Sequence, residues 1–187
     1  MELTEAIRTR RSIRKYRKEP LTESTIRELL ELATWAPSGM HLQPWAFTVI
    51  EDQDYLQDFS DRCKDYVLKN LMQAPELARY REMLADPTYH LFYQAPVLIM
   101  IYGDQKAFSA AYDCSMAAQN LMFGAWDRGI GSCWIGFAHE YGNTPEVKAE
   151  LKVPGGYDLI APIILGYPAA PGEERPRKQP VVLYWKR

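Results

Sequence analysis

Hydrophobic residues recur along this chain in two patterns, and each pattern predicts a different kind of element. Apolar positions three or four residues apart are typical of amphipathic helices. This spacing, or a charged helix-forming composition, predicts helices at residues 3–10, 22–35, 53–86 with a break near Pro75, 108–128, and from 144 onward. The segment 108–128 is apolar on nearly all sides, so we expect that helix to be central in the molecule.

The ends of these helices carry signals of their own. Thr22 is a typical N-cap residue, and Leu21 and Ile26 have the spacing of a hydrophobic staple around it. Pro37 is expected to stop this helix, and Gly129 is expected just beyond the end of the central one.

Short runs of consecutive apolar residues predict buried strands. They occupy residues 45–50, 95–102, 132–137, 160–167 and 181–185. Helices and strands are mixed along the chain, and no repeat or clear boundary divides it. We therefore predict a single α+β domain over residues 1–187, built around one sheet, with residues 168–187 as a C-terminal arm.

The strand predicted at 181–185 has two possible partners. Its sequence, VVLYW, follows a tail rich in Pro, Arg and Glu, and an apolar strand in that position needs something to cover it. It can close the sheet of its own chain, or it can pair with the sheet of a second chain in an exchanged-arm dimer. The residues alone favour neither arrangement.

Composition narrows the class of protein. Of the 187 residues, 47% are hydrophobic and 25% are charged, and the formal net charge of −2 argues against nucleic acid or an anionic membrane as the main partner. The N-terminal MELTEAIRTRRSIRKY lacks the apolar core of a secretory signal. Cys63, Cys114 and Cys133 are odd in number and widely spaced, so we expect a reduced, cytoplasmic protein.

Several common catalytic motifs are missing from the sequence. It has no P-loop and no G-x-S-x-G hydrolase elbow. The glycines between 129 and 136 lead from a predicted helix into a strand, which is the reverse of the order in a dinucleotide-binding fingerprint. His41, His90 and His139 lack the spacing of metal ligands, so no metal site is expected.

Two groups of cationic residues are the first candidates for binding. One group is Arg10, Arg11, Ser12 and Arg14, and the other is Arg175 and Arg177 in the arm. The chain is net acidic, yet both groups are rich in arginine, whose planar guanidinium matches the geometry of phosphate. A phosphate-bearing ligand would explain both groups. The alternative is that both are solvated basic turns.

Two glycine-containing segments are the other candidates. Gly131 and Gly136 bracket an apolar run, where glycine would let a flat ring lie close to the backbone. A close helix–strand crossing explains these glycines equally well. The loop APSGMHLQPW at 36–45 places polar turn residues directly before the apolar run that opens at Trp45.

Five segments of the chain occur together in a recognisable order. They are RRSIR at 10–14, APSGMHLQPW at 36–45, DCSMAAQNL at 113–121, GIGSCWIGF at 129–137 and ILGYP…RPR at 164–177. In this combination the chain resembles the nitroreductase family of FMN-dependent oxidoreductases. The resemblance implies a three-layer sandwich with helices flanking a central, mostly antiparallel sheet. It also implies an intertwined homodimer that exchanges the C-terminal strand and holds FMN at its interface.

The resemblance further implies a role for each candidate residue. The contacts implied for the FMN phosphate and ribityl chain are Arg10, Arg11, Ser12, Arg175 and Arg177. Arg14 is implied beside N1 and O2 of the flavin ring. The implied ring face is Cys133, Trp134, Ile135 and Gly136, with the Ile135 backbone N–H near N5. The loop implied to reach the flavin of the other subunit contains Pro37, Ser38, Gly39, Met40, His41 and Gln43.

The chain departs from the family pattern in two places. The family commonly has Asn where His41 stands. Its helical flavin contacts are expected between residues 60 and 75, where Lys64 and Asn70 are the candidates. The chain is also short for the family, so we expect a reduced lid over the substrate.

The implied function is transfer of hydride from NAD(P)H through FMN to a nitroaromatic, quinone or similar small acceptor in two half-reactions, a ping-pong mechanism. The flavin would carry the hydride chemistry, so no side chain is assigned as an obligatory acid or base, and Arg14 would tune the flavin by its charge. One alternative is another redox role, such as dehalogenation or flavin fragmentation. The other is a flavin-binding protein without physiological turnover.

Overall fold

Four of the five predicted apolar runs form one sheet in the computed structural model, which describes residues 1–187. The strands are β1 (Trp45–Ile50), β2 (Val97–Asp104), β3 (Gly131–Trp134) and β4 (Tyr157–Gly166). Their order across the sheet is β1-β2-β4-β3, and every neighbouring pair is antiparallel. The predicted α+β class and antiparallel sheet are confirmed.

The alternation of side chains along β2 divides the core into two layers. Leu98, Met100 and Tyr102 point into one hydrophobic cluster. Val97, Ile99 and Ile101, which alternate with them, point into the other. Because both faces of the strand are buried, its sequence is apolar at every position from 97 to 102, as a strand covered on both sides requires.

Seven α-helices lie along the chain between and beside these strands. They are α1 (Leu3–Thr9), α2 (Glu23–Thr34), α3 (Gln53–Lys69), α4 (Arg81–Ala85), α5 (Ala110–Asp127), α6 (His139–Gly142) and α7 (Pro145–Glu150). Side chains of α2 and α5 fill the second cluster, and those of α3 fill the first, so helices flank both faces of the sheet. None of these helices has the length and apolarity needed to cross a membrane.

The capping signals around α2 and α5 are confirmed. The hydroxyl of Thr22 accepts a hydrogen bond from the Thr25 backbone N–H at 3.1 Å, and Leu21 and Ile26 are both buried beside it. Gly129 follows α5 with a φ of 70°, and the N–H groups of Gly129 and Ile130 donate to the last carbonyls of the helix. This tight C-terminal turn leads directly into β3.

The two strand boundaries that differ most from the prediction are the end of β3 and the start of β4. β3 ends at Trp134 instead of residue 137, because a 3-10 turn over Gly136–Ala138 takes the chain out of the sheet. β4 begins at Tyr157, before the apolar run starts, and an irregularity in its pairing between Ile101 and Tyr102 of β2 absorbs one extra residue.

The two edges of the sheet differ. Beside β3, Ser12 forms a parallel bridge with Ser132, and the Ile13 N–H donates to the Ser132 carbonyl at 3.0 Å. β1 pairs only with β2, so its outer edge is open. Residues 181–185 form no strand within this chain and are exposed, so the arm does not close its own sheet. Exchange of this segment with a second chain stays a prediction.

A bidentate ion pair connects α3 to α7 and makes stability depend on pH. Arg62 donates to both carboxylate oxygens of Glu150, at 2.9 and 3.2 Å, and its guanidinium lies 5.6 Å from the centre of the Phe59 ring. The hydrogen bonds from Arg62 hold the pKa of Glu150 below its usual value of 4.5. The carboxylate therefore stabilises the fold above that pH, and this contribution is lost as the pH falls through the lowered pKa.

We expect Glu150→Gln to reduce the free energy of unfolding by about 1 kcal/mol at pH 7, since one ionised partner of a partly exposed pair is removed. The difference from the wild type should shrink as the pH falls below about 4.5, because Glu150 of the unfolded chain is protonated first and that of the folded protein follows at its lowered pKa. Urea unfolding at a series of pH values measures this difference. A destabilisation that stays constant down to pH 3 would mean that charge plays no part in it.

Candidate functional site

Both predicted groups of arginines line one small cavity. The cavity has a volume of about 240 Å³, and its lining is polar throughout. It consists of Arg10, Arg11, Ser12, Arg14, Glu173, Arg175 and Arg177. We call it the arginine cavity. All six residues that were predicted for a phosphate or for the adjoining ring edge therefore come together, although more than 150 positions separate the two groups in the sequence.

Backbone pairing brings the two groups together. The segment after α1 runs beside β3. The beginning of the arm runs antiparallel to that N-terminal segment. Tyr16 and Pro168 form an antiparallel bridge, and the Ala169 N–H donates to the Lys15 carbonyl at 2.9 Å. Gly172 continues the close approach, because a Cβ atom there would collide with the side chain of Arg11. The arm thus returns to the N-terminal segment and places its two arginines opposite the first group.

The arginine cavity carries an excess of positive charge. Burial lowers the pKa of Arg10, and the neighbouring charges of Arg177 and Arg11 lower it further. Glu173 is the one carboxylate in the lining, and it is paired with Arg175 at 2.7 Å. Clustered guanidinium groups repel one another unless an anion lies between them. The two groups therefore form one cationic cavity, and binding of an anion in it stays a prediction.

A second cavity, with a volume of about 460 Å³, shares Arg14 with the first. We call it the aromatic cavity. The aromatic side chains in its lining are Tyr80, Tyr89, Tyr93, Trp134 and Phe137. All four residues predicted for the ring face, Cys133, Trp134, Ile135 and Gly136, also line it. The two cavities are neighbours, one cationic and one apolar, with the Arg14 side chain at their junction.

The two glycines that bracket β3 have different roles. A Cβ atom on Gly131 would lie 2.6 Å from the Ile13 side chain, so this glycine allows a close packing contact. A Cβ atom on Gly136 would meet nothing within 4 Å, so this glycine leaves open space beside the backbone at the aromatic cavity. The packing explanation therefore holds for the first glycine, and approach of a ring to the second stays a prediction.

The expected role of the Ile135 amide needs correction. Its N–H donates to the Pro162 carbonyl at 2.8 Å and is therefore not free for a ligand. Gly136 begins a 3-10 turn, and the first amides of such a turn have no partner within it. A backbone donor to a ring in the aromatic cavity is therefore better sought at Gly136. Burial raises the pKa of the Cys133 thiol, which keeps this side chain neutral and apolar beneath the cavity.

The loop at 37–43 lies apart from both cavities of its own chain. The Gly39 N–H donates to both carboxylate oxygens of Asp113 in α5, each at 3.2 Å. Met40, His41 and Gln43 all have positive φ values between 46° and 58°, and the Gln43 amide and His41 ring nitrogen are 2.8 Å apart. Because none of Pro37, Ser38, Gly39, Met40, His41 and Gln43 lines either cavity, a contact with another subunit's ligand stays a prediction.

The helical candidates Lys64 and Asn70 are occupied elsewhere. The Lys64 ammonium donates to the Tyr89 carbonyl at 2.7 Å and pairs with Asp61 at 2.9 Å. Asn70 donates to the Tyr66 carbonyl at 2.8 Å at the end of α3. Neither side chain lines the arginine cavity or the aromatic cavity. Arg79, which the sequence analysis passed over, does line the aromatic cavity.

We expect Asp113→Ala to destabilise the protein by roughly 1.5–3 kcal/mol, because hydrogen bonds to a charged group are lost and their donors stay behind. Asp113 is 2% exposed, and besides Gly39 it accepts a hydrogen bond from the Ser109 hydroxyl at 2.8 Å. Asp113→Asn retains one acceptor oxygen and should cost less. Urea unfolding of both variants measures the difference, and equal losses would contradict a hydrogen-bonding role for this carboxylate.

Comparison with known proteins agrees with the fold. The model of the Nitroreductase family matches residues 7–167. An FMN-bound nitroreductase from Bacteroides fragilis superposes with a TM-score of 0.86 at 30% identity, covering 100% of both chains. An NADH dehydrogenase from Thermus thermophilus is 30% identical over 178 residues, which are 87% of this chain and 85% of the relative.

A relative with a different activity also aligns over nearly the whole chain. The iodotyrosine deiodinase of Thermotoga neapolitana is 23% identical over 189 residues, 97% of each protein. The match of the family model to residues 7–167 confirms the resemblance inferred from the motifs. The chain belongs to the nitroreductase family.

Proposed function

We propose that this protein is an FMN-dependent oxidoreductase that transfers hydride from NAD(P)H to a small acceptor, such as a nitroaromatic or a quinone, by a ping-pong mechanism. The observation that carries the proposal is the continuity of the arginine cavity with the aromatic cavity at Arg14. FMN has the same division into a phosphate end and a flat aromatic end. The excess of guanidinium charge and the open backbone at Gly136 fit these two ends.

The residues proposed to hold FMN divide between the two cavities. At the phosphate end they are Arg10, Arg11, Ser12, Arg175 and Arg177. Arginine suits this task because its planar fork can donate two parallel hydrogen bonds to phosphate oxygens. At the ring end, Cys133, Trp134 and Ile135 provide an apolar surface, and the Gly136 N–H is the proposed backbone donor.

The protein's own part in the mechanism is binding, orientation and electrostatics. Bound FMN would supply the hydride chemistry. The fixed charge of Arg14 would stabilise negative charge that develops at the adjoining edge of the ring on reduction. The aromatic walls would exclude water from the reacting face. Since NAD(P)H and the acceptor would use the same open face in turn, the kinetics should be ping-pong.

A homodimer is part of this proposal. Large apolar side chains are exposed at the end of α2, on the loop and around the start of α5, including Trp35, Met40, Phe108 and Tyr112. An exposed apolar patch of this kind is typical of an interface. In the dimer, the loop at 37–43 would reach the partner's FMN, and residues 181–185 would pair with the open edge of β1 in the partner.

The proposal is tested on the purified protein. We expect visible flavin absorbance, release of FMN and not FAD on heat denaturation, and oxidation of NADH or NADPH that accelerates when a nitroaromatic or a quinone is added. Failure of the apoprotein to take up flavin would overturn the proposal. Reduction without acceptor turnover would favour the flavin-binding alternative. Loss of iodide from iodotyrosine, without nitroaromatic reduction, would favour the dehalogenating one.

A further inference from the structure

We propose that the aromatic cavity recognises anionic aromatic acceptors, and that Arg79 is the residue that binds their carboxylate. This inference rests on the proposed function for the identity of the reaction. The recognition of an aromatic carboxylate rests on the cavity itself. Arg79 lies in the 3-10 turn Pro75–Tyr80, and its side chain is exposed at the wall of the cavity.

The guanidinium of Arg79 has no partner within the protein. It takes part in none of the ion pairs of the chain and in none of its side-chain hydrogen bonds. It lies over the Tyr80 ring, with 4.8 Å between the guanidinium carbon and the ring centre. Contact with an aromatic face attracts the cation electrostatically and satisfies none of its N–H donors, so a carboxylate can accept two of them.

The lining of the aromatic cavity carries two cations and one carboxylate. Its ionised residues are Arg14, Arg79 and Glu140. The Glu140 carboxylate already lies 2.9 Å from the ring nitrogen of His139. Arg14 is shared with the arginine cavity and faces Tyr93 at 5.9 Å. The cation that stays available for an acceptor is therefore Arg79.

The walls beside Arg79 favour a planar ring. Tyr80 and Phe137 meet edge to face, with 5.2 Å between their ring centres and 80° between their planes. Both line the cavity with Leu77, so the space next to the guanidinium is apolar and partly aromatic. Aromatic ligands pack well in such a setting. A benzoate-like molecule would place its ring against these side chains and its carboxylate on Arg79.

The test compares benzoate with benzamide, which has the same shape but no charge, by calorimetry on the FMN-loaded protein. We expect benzoate to bind more tightly, and Arg79→Gln to weaken benzoate about fivefold while benzamide changes less than about twofold. The estimate is small because the contact is exposed and screened by water. Arg81→Gln is the matched control, because Arg81 is exposed in the next turn and lines neither cavity.

Steady-state kinetics provide a second test of Arg79. With 4-nitrobenzoate as acceptor, Arg79→Gln should raise KM and leave kcat nearly unchanged, whereas KM for 4-nitrobenzamide should hardly move. Equal effects on the charged and the neutral compound, or a loss of FMN from the variant, would overturn the role of Arg79.

If the wild type takes up no flavin, the proposed function fails. The same calorimetry on the flavin-free protein then decides the anion site alone, and equal binding of benzoate by wild type and Arg79→Gln overturns it.

Discussion

Removal of residues 181–187 is expected to convert a dimeric, FMN-loaded protein into a mainly monomeric one that has lost most of its FMN. The five apolar residues of this segment are 59–94% exposed in the single chain. Burial of one such side chain contributes about 1.5–3 kcal/mol. If about 4 kcal/mol of this survives the cost of ordering the arm, its loss would raise the dissociation constant of the dimer about a thousandfold.

The loss of FMN in this variant follows from where the arm lies. Arg175 and Arg177 precede the deleted segment and line the arginine cavity, so an arm that is no longer anchored at its end holds them less firmly. Sedimentation measures the dimer, and the ratio of flavin to protein absorbance measures the loading. A shorter deletion of Lys186 and Arg187 removes charge but no apolar surface, and it should leave both unchanged. A dimeric, fully loaded protein without 181–187 would mean that exchange of this strand does not hold the dimer together.

Local patterns in the sequence predicted the parts of the fold that depend on near neighbours. The apolar run at 95–102 predicted a buried strand, because a strand covered on both faces needs apolar side chains at nearly every position. The caps at Thr22 and Gly129 were predictable because they use residues only a few positions away. The end of β3 was not, since the turn at Gly136 continues the same apolar composition without a break.

The site was predictable as a set of residues but not as a geometry. The two arginine groups could be identified because arginine is clustered in each of them. Their proximity in the fold depends on the bridge between Tyr16 and Pro168, which no local pattern encodes. The hydrogen bond from the Ile135 N–H to the Pro162 carbonyl is also a contact between distant segments. Arg79 carries no local signal, because an exposed arginine in a charged helical stretch resembles any solvated residue.

The partner of the strand predicted at 181–185 does not lie within the single chain. An apolar run forms a strand only when another strand lies beside it to accept and donate its backbone hydrogen bonds. Residues 181–185 have no such neighbour within this chain. In the proposed homodimer, the open edge of β1 and the exposed side chains on α5 would contact the second copy. Residues 181–185 are therefore exposed in the single chain and would be buried in the proposed dimer.

Substitution of two arginines is expected to separate FMN binding from FMN tuning. Arg177 lines only the arginine cavity, so Arg177→Gln should remove a charge-assisted contact with the phosphate. Such a contact is worth roughly 1.5–3 kcal/mol, which corresponds to a tenfold to hundredfold rise in the dissociation constant of FMN. The phosphate has the same charge when the flavin is oxidised or reduced. The midpoint potential of this variant should therefore equal that of the wild type.

Arg14→Gln, in contrast, should change the midpoint potential. Arg14 lies at the junction with the aromatic cavity, where charge would develop on the ring only upon reduction. Loss of its charge should weaken binding of reduced FMN more than of oxidised FMN. A difference of about 1.4 kcal/mol would lower the midpoint potential by about 30 mV for a two-electron couple. Redox titration of both variants in excess FMN measures this shift, and Lys178→Gln, an exposed cation outside both cavities, is the control. Identical potentials for the wild type and Arg14→Gln would show that Arg14 does not tune the flavin, whatever its effect on affinity.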